Sequence, residues 1–130
     1  MNKIFKLQAE LQSGYSEKGM TDPSSLSDTS SVGTSLDYIQ QMNYFLSEEV
    51  NELMHEIGGG RQALKPWSSL YEDSRSAKYV STPKVKSEAI DMLCFAINIC
   101  LASGINANNV EEEYVKVLKK NTARQLDNKY

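Results

Sequence analysis

One stretch of this 130-residue chain limits its fold more than any other: IDMLCFAINICLA, residues 90–102. It is apolar on nearly every side of a helical wheel. Thr82-Pro83 precedes it in the order that opens helices, cap and then proline, and Gly104 follows it. The pattern predicts a helix from Pro83 to about Ser103. A helix apolar nearly all round must be covered on most sides. A domain of this size can hardly do that alone, so oligomerisation through this region is expected.

Three further helices are predicted from apolar spacing, and no strand. The first covers about 2–13, with Ile4, Leu7 and Leu11, and Phe5 beside them, as its apolar side. Another covers about 36–57, capped by Ser35. It carries Ile39, Met42, Leu46, Val50, Leu53, Met54 and Ile57, and Gly58-Gly59-Gly60 ends it. The last covers about 109–121, capped by Asn108 or Asn109, with Val110, Tyr114, Val117 and Leu118 as its core stripe. Residues 13–35 hold eight serines, three glycines and Pro23, and read as a loop. Residues 58–82 read as a second connector. The expected architecture is a single all-α domain over 1–130, a four-to-five-helix bundle protomer that oligomerises.

Composition removes several classes of function. The formal charge is −3 and no basic stripe marks a nucleic-acid surface. No run of about 18 apolar residues signals a membrane span. The N-terminus MNKIFKLQAELQ is amphipathic and lacks the apolar core of a signal peptide. Cys94 and Cys100 lie six apart in the apolar helix, on different faces, and read as reduced core residues. A cytoplasmic protein is expected.

Two short patterns carry chemistry. Glu49 and Glu52 lie three apart in one predicted helix, and Glu88 and Asp91 three apart in another. Residues at that spacing share a helix face. Two antiparallel helices can therefore bring both pairs to one point, where four carboxylates need cations to stay ionised. Carboxylate oxygens are hard ligands suited to Mg²⁺ or Mn²⁺. Asp91, set against the apolar run, is expected to be buried and to need such a partner. The competing reading makes these acids solvated surface charge. Cations held this way serve phosphate chemistry, with Glu52, or alternatively Glu48, as proton acceptor. Lys120 and Arg124 are candidate phosphate contacts, although cations at a helix C-terminus also answer its dipole, the reading favoured for Lys116 and Lys119. Trp67 is either a base-stacking residue or a core anchor. His55 is expected at the surface or behind the site.

The segments YFLSEEVNELM, KPWSSLY and SEAIDMLCF resemble the all-α NTP pyrophosphohydrolase superfamily, which includes MazG-type enzymes, dimeric dUTPases and phage dCTPases. The resemblance covers about residues 4–12 and 40–128. The superfamily's E-x-x-E…E-x-x-D signature falls on Glu49, Glu52, Glu88 and Asp91, as metal ligands. Lys65 and Trp67, in K-P-W, look most like the dUTPase and phage dCTPase branch, as does LQAELQ, which implies base contacts by Gln8 and Gln12. The ending Lys120-Asn121-Thr-Ala-Arg124 is three residues shorter than that branch's and looks more like the MazG-type K-N-x-x-R; it implies phosphate contacts by Lys120, Asn121 and Arg124. The resemblance further implies Mg²⁺ dependence, a homodimer or homotetramer, and release of a nucleoside monophosphate and pyrophosphate. dUTP or dCTP is the leading substrate expectation. A purine such as dGTP, or damaged nucleotides, are alternatives. A helical adaptor module without catalysis is the alternative of another class.

Overall fold

A computed structural model describes residues 1–127; the end of the tail, Asn128, Lys129 and Tyr130, lies outside the described residues. Within them every regular element is helical. The order is α1 (Asn2–Ser16), a 3₁₀ turn (Pro23–Ser25), α2 (Leu26–Thr29), α3 (Val32–Gly58), a second 3₁₀ turn (Gly60–Leu64), α4 (Leu70–Ser76), α5 (Pro83–Ala102) and α6 (Val110–Leu126). The residues gather into two compact units rather than one: Met1–Tyr38 with Ile97 onward, and Ile39–Ala96.

Local chemistry sets the boundaries of these helices. The Thr82 hydroxyl accepts the Val85 amide at 3.1 Å, so the expected cap opens α5. Gly104, at φ +92°, closes it: the Ile105 amide reaches the Cys100 carbonyl at 3.0 Å, and the Gly104 amide the Leu101 carbonyl at 3.2 Å. This double bond needs a left-handed residue at that point. The same arrangement ends α1 at Gly19, φ +83°, with Met20 bonded back to Tyr15. The helix therefore runs past Gly14 to Ser16 instead of stopping near 13.

Residues 13–35 are consequently not one loop. They hold the end of α1, the first 3₁₀ turn, α2 and the start of α3. Asp22 Oδ1 accepts the Ser24 amide at 3.1 Å to start the 3₁₀ turn. Ser31, not Ser35, caps α3, its hydroxyl accepting the Thr34 amide at 3.1 Å. The 58–82 connector likewise contains α4. At α6, Asn109 precedes the helix, but its side chain turns back to the Asn106 amide and the Gly104 carbonyl. Glu111, Glu112 and Glu113 in the first turn answer the helix dipole instead.

The first unit is built on buried Phe5, Leu26, Tyr38, Ile97, Leu101 and Val110. It also buries two amides, Gln8 and Asn98, which bond to each other at 2.9 Å. Two expected core stripes face outward here. On α1, Phe5 and Gln8 point inward while Ile4, Leu7 and Leu11 are exposed. On α6, Val110 is buried while Tyr114, Val117 and Leu118 are exposed. A stripe that is apolar yet left over from the core signals surface to be covered by something else.

In the second unit Met42, Ala63 and Val85 are buried, and the Phe45 and Phe95 rings meet at 5.6 Å between centroids. The apolar run of α5 is covered only in part: Ile90 is exposed, and Met92, Leu93, Cys94 and Phe95 are half-buried. Both cysteines are free and half-buried. No helix among the described residues is long and apolar enough to cross a membrane.

Candidate metal centre

The second unit sets its portions of α3 and α5 antiparallel. As numbers fall along α3 they rise along α5: Lys84 pairs with Glu56 at 3.3 Å, Glu88 meets Glu49 and Glu52, and Phe95 meets Phe45. The carboxylates lie between a partly exposed ion pair at one end and an aromatic contact at the other. Helical periodicity puts Glu49, Glu52 and Glu56 on one side of α3, and Lys84, Glu88, Asp91 and Phe95 on the matching side of α5.

Glu49, Glu52 and Glu88 each offer an oxygen, and these oxygens all lie within 4.8 Å of one another. One oxygen of Glu49 and one of Glu88 (Oε2 in both) are shut off from solvent and make no hydrogen bond. Such orphaned acceptors are costly to bury. Both carboxyls are held above the usual carboxylate range. For Glu49 the causes are burial, then Glu52 as neighbouring charge and hydrogen-bond partner, then the charges of Asp91 and Glu88. For Glu88 they are burial, the charges of Glu52 and Asp91, and a hydrogen bond with Glu52, opposed by Lys84. The Cys94 thiol is also pushed up, by burial and then by Asp91.

Asp91 departs from expectation. It is exposed rather than buried, because the apolar run beyond it is itself only partly covered. It lies outside the three-carboxylate group, yet close enough for its charge to act on Glu49 and Glu88. Glu52 is the exposed member of the group. Glu48, the alternative proton acceptor, is exposed and bonded to the Tyr44 phenol, whose pKa it raises.

These donors fit a hard divalent cation. All are carboxylate oxygens, Glu49 and Glu88 each also leave an oxygen without a hydrogen-bond partner, and mutual repulsion already favours uptake of positive charge. A zinc site would ask for His or Cys.

The other candidates are distributed as follows. Trp67 is 82% exposed, so it anchors no core. Lys65 is half-buried just after the second 3₁₀ turn, its carbonyl accepting the Ser68 amide at 2.9 Å. Gln8, Gln12, Lys120, Asn121 and Arg124 belong to the first unit. There Gln8 is buried and Gln12 half-buried, on the inner side of α1. Lys120 and Arg124 are exposed one turn apart on α6, and Asn121 is half-buried. His55 is exposed, with its ring packed so tightly over Gly60 that a Cβ there would sit 2.5 Å from it.

Sequence reasoning missed Asn98 and the Lys84–Glu56 pair. Asn98 did leave a signal: it is the one polar residue between Asp91 and Ser103. Comparison of the chain with protein-family models, with curated proteins and with solved structures gives no match.

Proposed function

We propose that the chain is a Mg²⁺-dependent nucleoside-triphosphate pyrophosphohydrolase that releases a nucleoside monophosphate and pyrophosphate, with Mn²⁺ as a substitute cation. One observation carries the reading: three carboxylates from two helices converge within 4.8 Å, with two buried oxygens that no protein group satisfies. The resemblance of YFLSEEVNELM and SEAIDMLCF to all-α pyrophosphohydrolases supplies the reaction class. Its leading substrates are dUTP and dCTP. A purine deoxynucleotide such as dGTP, or a damaged nucleotide, is the alternative within the class. The active form is a homodimer or homotetramer.

Glu49, Glu52 and Glu88 would hold the cation, with Asp91 beside them. When bound, it supplies positive charge against the triphosphate oxygens and against the charge that develops at phosphorus. The remaining work belongs to the chain. Water attacks the α-phosphorus, and its proton passes to Glu52, the exposed carboxylate of the group. The α–β anhydride bond breaks and pyrophosphate leaves with the bonding electrons. Trp67 offers an exposed indole for stacking on the base. Lys65, in the same unit as the carboxylates, is the proposed phosphate contact there; for Lys120, Asn121 and Arg124 as phosphate contacts, and Gln8 and Gln12 as base contacts, the resemblance is the only support.

A panel of the common dNTPs and NTPs with Mg²⁺, scored for pyrophosphate, tests the reading. Pyrophosphate from one nucleotide or a few supports it. No release from any of them, with Mg²⁺ or Mn²⁺, overturns it and leaves a non-catalytic helical adaptor, a role the exposed apolar residues would also suit.

A further inference from the structure

The first unit carries a surface that its own core does not use. On α1, Phe5 and Gln8 turn inward, which leaves Ile4, Leu7 and Leu11 on the neighbouring face, 44%, 54% and 49% exposed. The spacing of three and then four is that of a helix-pairing seam. One turn before Ile4, Met1 lines an apolar groove of about 480 Å³ with Val110, Tyr114 and Val115 of α6.

The exposed stripe and the groove leave the first unit with apolar surface for an occupant to cover.

Charge argues for what that occupant is. Lys3 and Glu10 are both exposed and flank the stripe on the same side, seven residues apart. In an antiparallel helix pair related by a two-fold axis, the same flank of each helix meets its counterpart. With Leu7 at the axis, Ile4 lies against Leu11 of the other copy and Lys3 against Glu10 of the other copy. Both the apolar pattern and the charges are thus complementary to themselves when reversed.

We propose that α1 pairs antiparallel with α1 of a second copy of this chain, about Leu7, with Lys3 and Glu10 setting the register. The pairing is independent of the catalytic reading: it uses no residue of the carboxylate group and needs no nucleotide.

Solution mass of the full chain tests it, by light scattering or sedimentation. The wild type is expected as an oligomer, and Leu7→Glu is expected to halve its mass with its far-ultraviolet helical signal intact. Leu7 is already exposed, so the change removes nothing from the core. Lys3→Glu is expected to weaken association severalfold, and Lys3→Glu with Glu10→Lys to restore it. A monomeric wild type overturns the proposal, as does a Leu7→Glu variant that keeps the wild-type mass. Failure of the double swap to restore association overturns the antiparallel register.

Discussion

Glu49 on α3 and Glu88 on α5 each leave one carboxylate oxygen buried and unbonded, in a group whose oxygens lie within 4.8 Å of one another. Neither helix needs this for its own stability. Both carboxyls hold their protons more tightly than a free glutamate does, through burial and neighbouring negative charge.

Stability of the cation-free protein should therefore fall as pH rises. A group whose pKa is raised by folding stabilises the fold below its unfolded value, and that contribution is lost as pH climbs through the folded value. Melting temperature without divalent cation is expected to decline from the acidic range toward neutral pH. Added Mg²⁺ should raise it, and more at neutral pH than at acid pH, where protons compete for the same oxygens. A cation effect that does not depend on pH would contradict this.

Asp91 acts on the group from outside. Its charge raises both Glu49 and Glu88, although it is itself exposed. Asp91→Asn is expected to lower cation affinity by roughly 10–100-fold, as loss of a supporting residue does, and to abolish turnover while the helical signal stays intact. Turnover within about twofold of wild type would remove Asp91 from the centre; that margin is ~0.4 kcal/mol in the barrier.

Trp67, at 82% exposure, separates binding from folding. Trp67→Ala should change stability by less than about 0.5 kcal/mol, since surface replacements seldom do more. If the indole stacks on the base, KM rises roughly tenfold, in line with ~1–3 kcal/mol per stacked base. An unchanged KM would take Trp67 out of the nucleotide site.

The Gln8–Asn98 bond is buried at both ends. Asn98→Ala strands the Gln8 amide and should cost about 1–3 kcal/mol. Asn98→Leu combined with Gln8→Leu should be less destabilising than the sum of the single changes, because neither amide is then left alone. Chemical denaturation of the wild type, the two single leucine variants and their combination measures this; strict additivity would show that the bond carries no coupling.

The two acidic pairs were readable in the sequence because i,i+3 spacing survives any tertiary arrangement. So were the Thr82-Pro83 opening and the Gly104 stop, whose signals are local. What failed were inferences about which apolar residues face inward. Ile4, Leu7 and Leu11 form as good a stripe as Phe5 with Gln8 forms a poor one, yet the poor one is buried. Periodicity finds an apolar face but does not tell a core from a surface meant for another chain. The burial expected of Asp91 failed for the same reason. Residues 13–35 failed differently: their serines read as loop, whereas Ser31 and Asp22 serve as caps for short turns and helices.

Mn²⁺ binding tests the central claim most directly, by the loss of its free electron-paramagnetic-resonance signal on titration with protein. Wild type is expected to take up Mn²⁺, and Glu88→Gln, with the same helical signal, to lose most of that uptake. Equal uptake by the two proteins, or none by the wild type with or without nucleotide, would contradict the account.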